Sequence, residues 1–217
     1  MVKPRAFIFD AYGTLFDVHS AIEYEPALSQ LWRRKQLEST WLRALMERYE
    51  DFRHVTEAAL RSALRELSIE ASDRQLERLM RAYLSPAAFP EVKSALEALR
   101  DSPLAILSNG TPAMLDSAVR HNGLEAYFSA IISVDLVRTY KPSPRVYALG
   151  PKILSFPADE ILFVSSNLWD AAGAKAFGYQ VCWCNRSGAQ TEDLEFAPDF
   201  VVPRLDQIAG TLKVPHG

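Results

Sequence analysis

The sequence predicts an α/β fold, a parallel sheet whose first strand is followed by an all-helical insertion. Three observations predict it. Short apolar runs recur along the chain and alternate with helical stretches, an order that makes successive strands lie parallel. The stretch from about 21 to 84 holds no strand-like run and reads as several amphipathic helices in succession. At 217 residues the chain exceeds the usual single-domain size, which suits one core domain carrying a smaller insertion.

In chain order, Ala6 to Phe9 is an apolar run that ends at Asp10 and leads into AYGTLFD, a buried strand delivering an acid into a glycine turn. Similar runs follow at Leu104 to Leu107, Ala130 to Val134, Ile161 to Val164, Val181 to Trp183 and, more weakly, Phe200 to Val202. Between them Pro112 to Val119 opens after Thr111, Arg145 to Ile153 follows KPSP, and Asp170 to Phe177 runs into Gly178, all helix signals. Inside the insertion, three groups repeat at i, i+3, i+4, i+7: Leu42, Leu45, Met46 and Tyr49; Leu60, Ala63, Leu64 and Leu67; Leu76, Leu79, Met80 and Tyr83. Pro86 and Pro90 mark the return to the sheet, before a helix bearing Val92, Leu96 and Leu99. This divides the chain into a core of residues 1–16 and 86–217 and a helical cap of residues 17–85, with a cleft between them. A short helix is expected after Pro203, and the chain shows no internal repeat or low-complexity tract.

Hydrophobic residues at 48% and charged residues at 24% belong to a globular chain and exclude disordered, collagenous and membrane classes. The net charge of −3 gives no electrostatic reason to expect nucleic acid or an anionic membrane as partner. Cys182 and Cys184 lie two apart in an apolar run, and on a strand their Cβ atoms stand about 6.6 Å apart, too far to bridge. A reducing cytoplasm fits. No apolar stretch approaches the roughly 20 residues that cross a bilayer, and MVKPRAFIFD meets an acid too early for a secretory signal.

An open parallel sheet binds ligands at the carboxyl ends of its strands, so the residues just after each apolar run matter most. The first run ends in Asp10, Tyr12 and Thr14; the second in Ser108, Asn109 and Gly110; the fourth in Ser165, Ser166, Asn167, Trp169 and Asp170. Lys141 precedes a helix in TYKPSP. A strand-end carboxylate aimed by donors and a cation is a nucleophile; alone, Asp10 reads equally well as a turn-capping acid before Gly13. SNGTP offers hydroxyl, amide and helix N-terminal donors to an anion, though such sequences also make ordinary strand-to-helix turns. Lys141 alone reads as a solvated lysine, and Asp170 as a helix-opening acid. Their joint placement at strand ends is what points to a site.

The segments DAYGTLFDV, LWRRKQLESTWLRALM, ILSNGTP, YKPSPRVY and FVSSNLWDAAGAKAFG together resemble the L-2-haloacid dehalogenases of the haloacid dehalogenase superfamily, and the likeness spans most of the chain. The resemblance implies a Rossmann-like core with a helical cap, usually a homodimer, that removes halide from short L-2-haloalkanoic acids to give D-2-hydroxy acids. By motif, Asp10 matches the nucleophile and Thr14 its loop neighbour; Arg33, after Trp32, matches the arginine attending the halide, with Asn109 beside it. Ser108 would hold the substrate carboxylate or the nucleophile loop. Lys141, Tyr147, Ser165, Asn167 and Asp170 match the remaining polar positions, and Tyr12, Leu37, Phe52 and Trp169 the apolar wall. Two departures stand out. Arg34 occupies a position where many relatives have glutamine, which leaves pocket charge and halide preference open, and the segment between Asp17 and Gln30 is shorter than usual, which bears on the dimer contact or the cleft entrance.

Superfamily phosphatases place further acids where this chain has Tyr12 and Ser166, and a phenol and a hydroxyl are poor ligands for Mg²⁺. No metal or cofactor is therefore expected. Without the resemblance Arg33 reads as part of a solvated helix face, while Trp32 and Trp41 read as packing residues. His19, His54, His121 and His216 show no metal-ligand spacing with the cysteines, and His121 before Asn122 and Gly123 reads as a helix C-terminus. The rival readings are an atypical phosphohydrolase and a catalytically silent protein that binds small anions.

Overall fold

The computed structural model describes residues 3–18, 26–191 and 195–212. Strand β1 (Ala6–Phe9) leads through the Asp10 loop to β2 (Phe16–Asp17). Helices α1 (Pro26–Leu45), α2 (Phe52–Glu66) and α3 (Asp73–Leu84) come next, and β3 (Ala87–Ala88) returns antiparallel to β2 as a two-stranded stem. The remainder alternates: α4 (Val92–Leu99), β4 (Leu104–Ser108), α5 (Pro112–His121), β5 (Ala130–Ser133), α6 (Pro144–Tyr147), α7 (Leu149–Leu154), β6 (Ile161–Ser165), α8 (Leu168–Phe177), β7 (Gln180–Cys184), β8 (Phe200–Val202) and α9 (Ile208–Thr211).

The six-stranded sheet has the order β5-β4-β1-β6-β7-β8 and every pairing in it is parallel. β1 therefore lies at its centre, where the strand order reverses and where doubly wound sheets open a crevice beyond the strand ends. β1, β4, β6 and β7 are buried along their whole length, which is why they read as continuous apolar runs rather than alternating ones. Cys182 and Cys184 lie on β7 as buried free thiols.

Two helical expectations are corrected. Arg145 to Ile153 is not one helix but α6 and α7, broken at Ala148. In a continuous helix the Tyr147 carbonyl would accept from residue 151, which is Pro151 and has no N–H; the Tyr179 hydroxyl donates to that carbonyl instead at 2.6 Å. The Leu42, Leu45, Met46 and Tyr49 stripe is the second. α1 stops at Leu45, and Leu42, Leu45 and Met46 are exposed by 56%, 83% and 58%. The buried face of α1 instead carries Leu28, Leu31 and Trp32 with the polar Gln36 and Thr40. The other two stripes are buried, Leu60, Ala63 and Leu64 on α2 and Leu76, Leu79, Met80 and Tyr83 on α3, except that Leu67 caps the end of α2 and is only half-buried. Asp51 caps α2 by accepting from the His54 N–H at 2.9 Å, and Ser72 with Gln75 forms a capping box on α3. Residues 19–25 fall outside the described residues, and with them most of the short segment noted between Asp17 and Gln30. No helix among the described residues is long and apolar enough to cross a membrane.

Candidate active site

β1 carries Asp10 to the centre of the sheet edge, where the Asp10 N–H donates to the Val164 carbonyl at 2.9 Å. Gly13, at φ +89°, then turns the loop back, so that Thr14, Leu15 and Phe16 all donate backbone N–H groups to the Ala11 carbonyl. That turn aims the Thr14 hydroxyl at Asp10 Oδ2, 3.0 Å away, while Thr14 Oγ1 accepts from the Ser166 N–H at 2.8 Å. Asn167 Nδ2 donates to the same Oδ2 at 2.9 Å and to the Tyr12 carbonyl at 3.3 Å. Lys141 Nζ donates to Asp10 Oδ1 at 3.0 Å and to Asp170 Oδ2 at 2.9 Å. Asp10, Thr14, Lys141 and Asp170 are all buried. Ends of the chain 160 residues apart thus meet around one ammonium group.

The environment sets the charges. Burial opposes the Lys141 charge, but Asp10 and Asp170 outweigh it and raise its pKa above the ordinary lysine value. Burial raises the Asp170 carboxyl above the usual range; Lys141 pulls it down and the charge of Asp10 pushes it up again. Tyr147 donates to Asp170 Oδ1 at 2.8 Å, its own hydroxyl held well above the usual tyrosine value by burial and by Asp170. Gly173 makes that contact possible, since a Cβ there would stand 2.6 Å from the Tyr147 oxygen. Asn109 Oδ1 accepts from the Lys141 N–H at 3.1 Å and so fixes the backbone that carries the ammonium. Ser108 and Ser165 shape turns: Ser108 Oγ accepts from the Gly110 N–H at 3.2 Å and Ser165 Oγ from the Asn167 N–H at 3.1 Å. Neither hydroxyl touches Asp10.

The helices supply the opposite wall. Arg33 on α1 donates to the Tyr12 carbonyl at 3.4 Å, which brings its guanidinium over the Asp10 loop, and to Gln36 Oε1 at 2.7 Å. Gln36 is fully buried and donates in turn to Thr56 Oγ1 at 2.6 Å; Thr56 donates to the Phe52 carbonyl, and Tyr83 to Gln36 Oε1 at 3.4 Å. Sequence reasoning did not single out Gln36, Thr56 or Tyr83 for a site; the one available signal was that Gln36 lies a turn from Arg33 on the same helix face. Tyr12 stacks on Phe52 at 5.9 Å between ring centres and donates to the Tyr83 carbonyl at 3.2 Å, its hydroxyl pushed far up by burial. Leu37, one turn after Arg33, is half-buried. Trp169 packs edge-on against Trp41 at 5.5 Å, and both line an apolar cavity of about 430 Å³ with Thr139 and Pro142. Trp32 packs against Tyr83 at 4.9 Å, as a core residue. Arg34 points away from this wall: it is exposed and lies near Glu38 and Glu66, at 3.9 and 3.8 Å, so it adds no charge to the pocket.

The donors at the two positions where phosphatases carry acids do not suit a divalent ion. The Tyr12 hydroxyl is committed to the Tyr83 carbonyl, and Ser166 Oγ accepts from the Arg186 guanidinium at 2.8 Å, a fixed cation that would repel a second one. Among the described residues no three of His, Cys, Asp and Glu gather as metal ligands. His54 and His121 lie at helix ends, and His19 and His216 lie outside the described residues.

The family model of haloacid dehalogenase-like hydrolases matches residues 4–178. The chain belongs to that family. Within it, haloacetate dehalogenase H-2 of Moraxella sp. (strain B) is 45% identical over 224 residues, which cover 99% of this chain and 100% of that protein. The (S)-2-haloacid dehalogenase of Pseudomonas sp. (strain YL) is 45% identical over 98% of this chain and 96% of that one. Among solved structures, the L-2-haloacid dehalogenase of Xanthobacter autotrophicus with chloropropionic acid covalently bound superposes with a TM-score of 0.91 at 39% identity, covering 98% of this chain and 99% of that one. The fold of this haloacid dehalogenase-like hydrolase is thus that of its relatives over nearly its whole length.

Proposed function

We propose that this protein is an (S)-2-haloacid dehalogenase, which replaces the halogen of short L-2-haloalkanoic acids by hydroxyl and yields D-2-hydroxy acids. One observation carries the reading: the Asp10 carboxyl is aimed by Lys141, Thr14 and Asn167, while the neighbouring positions Tyr12 and Ser166 offer no further carboxylate. Phosphoryl transfer would lack both its metal ligands and its acid. Displacement at carbon needs neither. The covalently bound chloropropionic acid of the Xanthobacter relative supports an ester route for this chain as well.

In the mechanism, an Asp10 oxygen attacks C2 from the side opposite the carbon–halogen bond; that bond breaks and its electron pair leaves with the halide. Arg33, together with Asn109, receives the anion, and Tyr12, Leu37, Phe52 and Trp169 keep water from the reacting carbon. Inversion at C2 follows. Water then attacks the Asp10 carbonyl carbon, releasing the product oxygen as the hydroxyl of the hydroxy acid and restoring the carboxylate. One water proton goes to that hydroxyl and the other to Asp170, whose raised pKa makes it the stronger base, and then to solvent. Tyr147 and Lys141 hold Asp170 in place, and Ser108 and Ser165 hold the loops that carry the substrate carboxylate donors.

The reading includes a cap of residues 17–85 over a core of residues 1–16 and 86–217, and a homodimer joined through the exposed Leu42, Leu45 and Met46. Two free buried thiols suit a cytoplasmic protein. Halide release from each enantiomer of 2-chloropropionate, in a chelator, tests the function. L-selective release with D-lactate as product is the expected result; release that needs added Mg²⁺, or binding without turnover, would overturn it.

A further inference from the structure

The geometry points to Arg186 as a positioning residue for the nucleophile loop: paired with Glu91, its guanidinium locks the Gly13–Thr14 turn to the Ser166 turn and so holds the Asp10 carboxylate at its angle of attack. Arg186 lies two residues beyond β7, at the carboxyl edge of the sheet. All three of its guanidinium nitrogens are engaged. Nε donates to Glu91 Oε1 at 2.8 Å, and Nη2 lies 2.8 Å from the same oxygen. Nη1 donates to the Gly13 carbonyl at 3.2 Å and to Ser166 Oγ at 2.8 Å, and Nη2 to the Thr14 carbonyl at 2.9 Å. The guanidinium plane also lies 3.8 Å from the centre of the Phe89 ring.

Glu91 is buried, with a side chain only 4% exposed, and opens α4 just after the stem on which the helical insertion returns. One cation therefore clasps four segments: the loop after β1, the loop after β6, the return from the insertion, and its own loop after β7. The mechanical path to the reacting atom is short. Arg186 fixes the Thr14 carbonyl and the Ser166 side chain, and the Thr14 hydroxyl sits between the Ser166 N–H and Asp10 Oδ2. A planar fork with donors on three nitrogens spans these four acceptors together; an ammonium group has three donors on one nitrogen. The bridge is built from side chain and backbone alone, so its formation needs no substrate.

This inference rests on the dehalogenase reading, and its test separates the two. Arg186→Ala, Arg186→Lys and Glu91→Gln are measured for halide release from L-2-chloropropionate and for thermal unfolding. Small displacements of a reacting group cost about 10²-fold, so Arg186→Ala is expected to lose about that factor in kcat with KM little changed, and Arg186→Lys somewhat less. Guanidinium at millimolar concentration, below what unfolds the protein, is expected to restore part of the Arg186→Ala rate, whereas ammonium does not. A variant that loses thermal stability while kcat stays at the wild-type value, or that changes KM alone, overturns the inference. If Arg186→Ala does not fold, Glu91→Gln decides, by a fall in kcat at constant KM or by none. Wild-type protein that releases no halide overturns the functional reading, and the inference falls with it.

Discussion

The two walls of the site are built on different electrostatic plans. On the sheet side three charged groups are buried together, Asp10 and Asp170 each within hydrogen-bond length of Lys141, and Thr14, Asn167 and Tyr147 donate to the two carboxylates. On the helical side a single cation, Arg33, is half-buried and leans on neutral partners, the Tyr12 carbonyl and the Gln36 amide oxygen. The sheet side satisfies its charges internally and is suited to hold one geometry. Among the described residues the helical side leaves its positive charge without a carboxylate partner, so an anion arriving there meets a donor that none of them neutralises.

Breaking the sheet side should cost most. Asp10→Asn is expected to abolish halide release, by about 10⁴-fold or more, because no other group is placed to attack; enantiomer-resolved chloride assays check it. Single turnover in heavy-oxygen water should label Asp10 in the wild type, and label only product if water attacks carbon directly. Lys141→Met should lose about 10³-fold in rate and also stability, on the order of 3–5 kcal/mol, because it leaves two buried carboxylates facing each other; denaturant unfolding reads the second effect. A variant as stable as wild type would show that the triad is less closely coupled than the distances imply.

Breaking the helical side should cost less and leave folding intact. Arg33→Ala should lower kcat by about 10²-fold, with the larger loss for the poorer leaving halide, and little change in unfolding. Gln36→Leu should lose about 10-fold, since it frees Arg33 without removing it; equal loss for bromide and chloride would argue against a role in receiving the halide. The finest test is pH. Asp170 acts as a base only when deprotonated, and its pKa is raised, so kcat should climb with pH along an acid limb displaced above the ordinary carboxylate range. Asp170→Asn should flatten that limb.

Much of this was legible before the structure. β1 and β8 begin and end at the expected residues, β4, β5 and β6 differ by one residue at one end, and β7 extends one residue further at each end. Buried parallel strands announce themselves as unbroken apolar runs, and the residues after them had to share one edge of the sheet. Asp10, Lys141, Asn167 and Asp170 meet there as expected. What escaped were groups with no local signature. Gln36, Thr56 and Tyr83 are ordinary helix residues whose hydrogen bonds exist only once α1, α2 and α3 pack, and Arg186 becomes distinctive only when Glu91, nearly a hundred positions earlier, lies against it. The exposed stripe of Leu42, Leu45 and Met46 fails in the opposite sense. Periodicity says that a face is apolar, but not what covers it.

Fold class, strand order of appearance and the gathering of Asp10 with the other strand-end polar residues at one sheet edge follow from hydrophobic pattern and chain order, because burial and connectivity are properties a linear string already carries. Which oxygen faces which donor, the break at Tyr147 healed by the Tyr179 hydroxyl, and the outward turn of Arg34 belong to packing. Those are contacts of a few ångströms between residues far apart in the chain, and nothing in the spacing of letters encodes a distance that short.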